Sequence, residues 1–205
     1  MNVGCVPSKA LLRAAKASKE RREGAYGYSA ERDPKVDFGQ VMERLRECRA
    51  KIAPADANST TASVGCAVFR GTAVFAGPNT LTVTPSSDCQ SLSKITINFG
   101  KCVIAVGGVA RIPPQVKNIS AVPYHTNATL YNITALPGRV AVLGGGPIGM
   151  EMAQGLALLG SEVRGGGRER RRRGGTGGGF PFSVCLYVCL SVCLSVCLIV
   201  CLFVC

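Results

Sequence analysis

The sequence predicts an α/β fold with incomplete sheets, and three observations carry that expectation. Val140–Leu143, Gly144–Gly149, Met150–Leu159 and Glu162–Val163 read as strand, glycine turn, helix and strand, which together make a βαβ unit. Ala67–Phe75, Leu81–Thr84 and Ile95–Phe99 are β-branched runs parted by Gly-Pro-Asn and a Ser-rich stretch, the pattern of a small antiparallel meander. Two helical stretches precede them. With 205 residues, 47% hydrophobic and 18% charged, the chain can bury the core of one large domain or two small ones.

Taken in order, Ala10–Arg22 carries Ala, Leu, Lys, Glu and Arg without a breaker and reads as a helix closed by Gly24. Gly24–Pro34 is a polar loop. Asp37 stands where an N-cap belongs, and Val41, Met42, Leu45, Cys48 and Ile52 follow at spacings of three and four, one apolar stripe of a second helix that Pro54 ends. After the meander, Cys102–Val106 is a short apolar run ending in Gly107-Gly108, which reads as a buried strand, and Pro113-Pro114 interrupts regular structure. The strand beginning at Glu162 is expected to break off at Arg164, where a Gly/Arg run begins.

Charge and cysteine are both concentrated late in the chain. Six Arg and one Glu lie within Arg164–Arg173, so the formal net charge of +12 leaves the rest only mildly basic, too little to demand a nucleic-acid partner. Cys185, Cys189, Cys193, Cys197, Cys201 and Cys205 recur every fourth residue, while Cys5, Cys48, Cys66, Cys89 and Cys102 are scattered. Scattered cysteines are no disulfide framework, and a reducing intracellular compartment is expected. From Phe180 to Cys205, 22 of 26 residues are apolar and none is charged. That is long enough for one membrane-spanning helix, and the preceding arginines would set a tail-anchored topology. The same Cys-Leu-Ser-Val repeat is also what a repeated TGTC tetranucleotide encodes in any frame, so a translated simple repeat stands beside the membrane reading.

Two constellations carry chemistry. Gly144, Gly145, Gly146, Pro147, Ile148 and Gly149 satisfy G-x-G-x-x-G between an apolar strand and a helix, the context of a dinucleotide fingerprint. Gly144 permits the tight turn, Gly146 lets backbone approach a pyrophosphate at the helix N-terminus, and Gly149 permits close helix–strand packing. The acidic residue that would bind a ribose hydroxyl at the end of the second strand is not locatable, so NADH and NADPH are not distinguished. The second constellation is Asn2-Val3-Gly4-Cys5-Val6-Pro7-Ser8-Lys9. A helix N-terminus and a nearby ammonium both stabilise a thiolate, which makes Cys5 a candidate reactive cysteine beside the plainer reading of an inert one.

Together these motifs resemble the flavin-dependent pyridine nucleotide-disulfide oxidoreductases. Asn2–Lys9 is similar to the second half of their redox-active disulfide motif. Tyr124–Pro137, Gly144–Glu151 and Leu159–Val163 resemble the mercuric reductase-like branch most, with dihydrolipoamide dehydrogenase nearby. The likeness runs from Asn2 to about Val163.

The resemblance implies a partial FAD/NAD(P)-binding, Rossmann-like fold. Its parts would be a partial FAD-binding domain at 1–135, lacking the first βαβ unit, and the start of an NAD(P)-binding domain at 136–163. An Arg/Gly-rich linker would follow at 164–179 and the apolar tail at 180–205. The implied cofactors are FAD and NAD(P)H. Cys5 takes the place of the cysteine nearer the flavin, Lys9 that of the lysine against it, and Glu151 that of the glutamate paired with the lysine. Ala73 falls where the family's backbone meets the adenine of FAD. Ala105, Val106 and Gly107 fall on a strand end beside FAD, where Val106 replaces a threonine and its hydroxyl. The implied activity passes electrons from NAD(P)H through FAD to a cysteine pair and on to a small-molecule disulfide or a metal ion, in a homodimer. The partner cysteine would stand just before Met1, so the chain is expected to lack it, and also the dimer-forming part, and to turn over little alone. The alternative is a tail-anchored nucleotide-binding protein without reductase activity. His125, the only histidine, does not match the family's catalytic one and reads as a loop residue.

Overall fold

The computed structural model describes residues 2–32, 34–87, 93–110, 112, 119–166, 184–187 and 190–191. Its four α-helices are α1 (Cys5–Glu23), α2 (Phe38–Ile52), α3 (Asn58–Ser63) and α4 (Pro147–Leu159). Its strands are β1 (Gly71–Gly77), β2 (Thr80–Pro85), β3 (Ile95–Asn98), β4 (Val109–Ala110), β5 (Tyr124–His125), β6 (Arg139–Leu143), β7 (Glu162–Gly166), β8 (Val184–Tyr187) and β9 (Leu190–Ser191). They divide into two compact units, Met1–Ile52 with Ala110–Leu190, and Ala53–Val109 with Ser191–Cys205.

In the first unit α1 begins at Cys5, earlier than the Ala10 expected from composition. Pro7 sits in the first turn, where a missing N–H removes no intrahelical bond. The Ser8 N–H donates to the Gly4 carbonyl at 3.1 Å and its hydroxyl to the Cys5 carbonyl at 3.1 Å. Gly24, at φ 71°, ends the helix. Pro7, Ser8, Leu11, Ala15 and Ser18 form its buried face. Asp37 caps α2 as expected, its Oδ1 accepting the Gln40 N–H at 3.0 Å, and Phe38, Met42 and Leu45 point inward.

The βαβ unit forms as the sequence predicts, except that its helix begins at Pro147 and not at Met150. Val140 and Val142 of β6 are buried, and α4 opens with Pro147 after its N-cap Gly146. Gly160, left-handed at φ 118°, closes α4 with N–H bonds from Gly160 to Ala157 and from Ser161 to Leu156, the geometry of a glycine C-cap. β7 lies parallel to β6, in register from Arg139 with Glu162 to Leu143 with Gly166. It does not break off at Arg164, because backbone pairing needs no apolar side chain and continues through Gly165 and Gly166. β8 pairs parallel to the other edge of β6, giving the order β5-β8-β6-β7. Val184–Tyr187, within the apolar tail, are thus strand rather than helix, and among the described residues no helix is long and apolar enough to cross a membrane. The rest of 180–205, apart from 190–191, and the Arg/Gly run after 166 lie outside the described residues, as do Pro113 and Pro114.

In the second unit β1, β2 and β3 form the expected antiparallel meander. Leu81, Val83 and Ile97 are its core, with Phe69, Ala73 and Phe99 packed against them. Cys102–Val106 departs from expectation: it is not a strand, and Val103 and Ile104 are 72% and 61% exposed. A strand needs a neighbour for its N–H and C=O groups, and among the described residues none pairs with this run.

The core of the first unit joins Leu11 and Ala15 of α1, Met42 and Leu45 of α2, Leu130 and Tyr131, Val140 and Val142, and Met152, Leu156 and Leu159 of α4. Met152 is fully buried whereas Met150 is 62% exposed. Met152→Ala is expected to lower stability by about 2–5 kcal/mol and Met150→Ala by under about 0.5 kcal/mol, as measured by urea denaturation.

Candidate functional site

Helix α1 packs along α4 within the first unit. Near one end the Lys9 ammonium donates to Glu151 Oε1 at 3.0 Å. Near the other, Arg22 Nη2 donates to the Leu158 carbonyl at 2.7 Å. Between them Leu11 and Leu12 cover the space beside Gly155. The two helices therefore run in the same general direction, and their N-termini, with Cys5 on one and the glycine turn on the other, share one end of the packed pair. Lys9, one helical turn after Cys5, shares its face. Cys5 is exposed with a free thiol. The Lys9 and Glu151 side chains are 66% and 35% exposed, and ion pairs so open to water contribute about 0–1 kcal/mol. The pair is a poor fastening for the fold and a well-placed charge for a ligand.

Beneath it lies Tyr131, on a one-turn 3-10 helix (Leu130–Asn132). The ring is buried and its hydroxyl donates to Met152 Sδ at 3.7 Å. Burial pushes the phenol up to about 12, with the Glu151 carboxylate and the Cys5 sulfur adding to the effect and Arg49 opposing it. Tyr131 is a neutral floor under charged groups. His125 is partly buried, which lowers its pKa, and its Nδ1 lies 3.4 Å from Thr129 Oγ1.

The glycine turn has the geometry its spacing implies. Gly144 takes φ 117°, a conformation open to glycine and strained for other residues. A Cβ on Gly149 would lie 2.1 Å from the Gly144 carbonyl oxygen, whereas one on Gly145 or Gly146 would meet nothing within 4 Å. Close packing is therefore used on the inner side, and open backbone is left on the outer side. Pro147 fills the first helical position and Ile148 packs against the core. A recess of about 170 Å³ opens here, lined by Val142, Gly144, Gly145, Gly149, Met150, Ala153 and Gly165. Unobstructed backbone at a helix N-terminus, beside the carboxyl ends of two parallel strands, fits a dinucleotide pyrophosphate.

The remaining expected positions belong to the second unit. Ala73 lies mid-β1, paired with Val83 and partly buried. Ala105 is exposed, Val106 partly so, and Gly107 has φ 66°.

Residues 1–165 match the model of the family described as pyridine nucleotide-disulphide oxidoreductase. The chain belongs to that family. It is 33% identical over 168 residues to a mercuric reductase of Streptomyces lividans, covering 80% of this chain and 34% of that protein. It is 29% identical over 163 residues to a dihydrolipoyl dehydrogenase of Buchnera aphidicola, covering 80% and 33%. Among solved structures it is similar to the HOCl-induced flavoprotein disulfide reductase RclA from Escherichia coli, with a TM-score of 0.59 and 25% identity over 80% of this chain and 32% of that one. The chain spans about a third of the length of these relatives. The family's cofactors are FAD and NAD(P)H. Nothing in these relatives' names or in the described residues favours a membrane-anchored alternative.

Sequence reasoning gave no role to Tyr131 or Arg49, and although Asn2 and Asn132 lie inside the quoted motifs, nothing in those motifs shows that Arg49 donates to both. Tyr131 sits inside the Tyr124–Pro137 stretch, but no local period marks it as the floor of a site. Arg49 is one basic residue among several on α2.

Two outcomes follow for this family member. Gly149→Ala is expected to cost about 1–3 kcal/mol or more and to weaken NAD(P)H binding, while Gly145→Ala leaves stability nearly unchanged; denaturation and nucleotide fluorescence titration check both. Tyr131 favours the folded state while protonated, so its contribution is full below pH 10 and is lost as pH rises from the unfolded value of 10.0 through about 12. Tyr131→Phe should show a shallower loss of stability over that interval, read from denaturation midpoints between pH 9 and pH 12.

Proposed function

We propose that this chain is part of the electron-transfer core of a flavin-dependent reductase. In this reading Cys5 is the redox thiol nearer the flavin, Lys9 and Glu151 line the flavin site, and Gly144–Gly149 holds the pyrophosphate of NAD(P)H. The carrying observation is the 3.0 Å Lys9–Glu151 contact. It joins two motifs 142 residues apart and sets both beside Cys5, on an open face whose ion pair adds little to stability.

When bound, FAD would take a hydride from NAD(P)H and supply an electron pair to a disulfide. The chain's own residues prepare for that chemistry. Lys9 gives one ammonium hydrogen to Glu151, leaving two donors for an acceptor on a ligand. Glu151 orients the lysine and offsets its charge. The turn offers backbone N–H groups and the positive end of the α4 dipole to phosphate. Tyr131 keeps the floor neutral and dry. Ala73 and Ala105–Gly107 are read as backbone contacts for FAD, with residues 1–135 as its domain portion, 136–163 as the start of the NAD(P) portion, 164–179 as a linker and 180–205 as a tail. The names of the relatives favour a disulfide or mercuric ion as substrate, and the resemblance to the family implies a homodimer as the working form.

Lys9→Met is expected to weaken FAD binding about tenfold, while changing stability by less than about 1 kcal/mol. Quenching of FAD fluorescence by the purified chain measures the first, and urea denaturation the second. No quenching by the native chain, or equal quenching by Lys9→Met, would overturn the assignment.

A further inference from the structure

One guanidinium ties together the segments around Cys5. Arg49, at the end of α2, donates from Nε to Asn2 Oδ1 at 2.8 Å. The Asn2 amide in turn donates from Nδ2 to the Arg49 carbonyl at 3.4 Å. Arg49 Nη1 donates to Asn132 Oδ1 at 3.1 Å. Both the Asn2 and Arg49 contacts are partly buried. A longer contact, from Asn127 Nδ2 to the Val3 carbonyl at 3.5 Å, reaches the same turn.

This arrangement answers a local need. Helix α1 has no side-chain cap, because Gly4 occupies the N-cap position, and glycine leaves the backbone the most freedom to lose. The residues that aim Cys5 would fray without an outside constraint. The planar fork of an arginine can engage two amides at fixed angles, which a lysine cannot reproduce. Asn132 is also next to Tyr131, so the segment that supplies the buried floor is fastened by the same residue that holds the turn.

We propose that Arg49 is a positioning residue for the Cys5 thiol, fixing the Asn2–Gly4 turn by bridging Asn2 to Asn132. It touches neither the sulfur nor the Lys9–Glu151 pair in any contact described above. The functional content of the inference rests on the reading of Cys5 as the redox thiol. The clasp itself is testable without flavin.

Amide hydrogen exchange of the full chain, followed by mass spectrometry, reads it. Arg49→Met and Arg49→Lys are both expected to speed exchange of the first hydrogen-bonded amides of α1, those of residues 8–11, by about tenfold, leaving those of 150–158 near their native rates. Asn132→Ala should give a smaller rise, about threefold, and Asn132→Asp, whose carboxylate still accepts from Nη1, should restore native exchange. Unchanged rates at residues 8–11 would overturn the proposal. So would a rise spread evenly over α1, α2 and α4, or an Asn132→Asp protein no better than Asn132→Ala. If Arg49→Met does not fold, the Asn132 pair decides. Native exchange protection lost on these substitutions in a chain that fails to quench FAD fluorescence would uphold the clasp and refute the flavin assignment.

Discussion

The packing of α1 along α4 is the constraint on which the rest of the first unit depends. Leu11 and Ala15 meet Met152 and Leu156 in one buried cluster, and the sense of that packing brings both helix N-termini to the same end. Two motifs far apart in the chain then face a common space. The apolar contacts supply the free energy, at about 1.5–3 kcal/mol for each large side chain fully buried. Polar contacts lie at the two ends, Lys9 to Glu151 and Arg22 to Leu158.

Burial and chemistry are kept apart in this unit. The Cys5 thiol and the charged Lys9 and Glu151 stay open or half-open to water, while the buried residues near them are apolar or, in Tyr131, polar but neutral. Burial, reinforced by the nearby Glu151 carboxylate, keeps the phenol from ionising, and its hydroxyl is satisfied by a soft sulfur instead of a second charge. The floor can therefore lie next to an ion pair without competing for either partner.

Much of this was legible in the sequence, and the exceptions share a cause. The glycine turn, the Asp37 cap, the α2 stripe and the meander are local patterns in which the residues that decide the structure lie within a few positions of one another. The start of α1 was misplaced because Gly4 and Pro7 look like breakers until their backbone groups are traced. Cys102–Val106 has the composition of a buried strand, but composition does not provide the neighbouring strand that would pair with it. β8 could not be foreseen beside β6 from a repeat that also read as a membrane helix. In the site, Cys5, Lys9, Glu151 and the glycines were each identifiable from motifs, whereas Arg49, Asn2 and Asn132 meet across separations of 47 and 83 residues that no pattern announces.

The openness of the Lys9–Glu151 pair has a further consequence. With two-thirds of the lysine side chain in solvent, mobile ions reach both charges and damp their attraction over a Debye length of about 8 Å at physiological ionic strength. A flat aromatic body laid against the pair would expel those ions and lower the local dielectric, so the attraction would strengthen only once the face is covered. The solvent-exposed pair is thus electrostatically slack and a covered one taut, and added salt should loosen the first far more than the second.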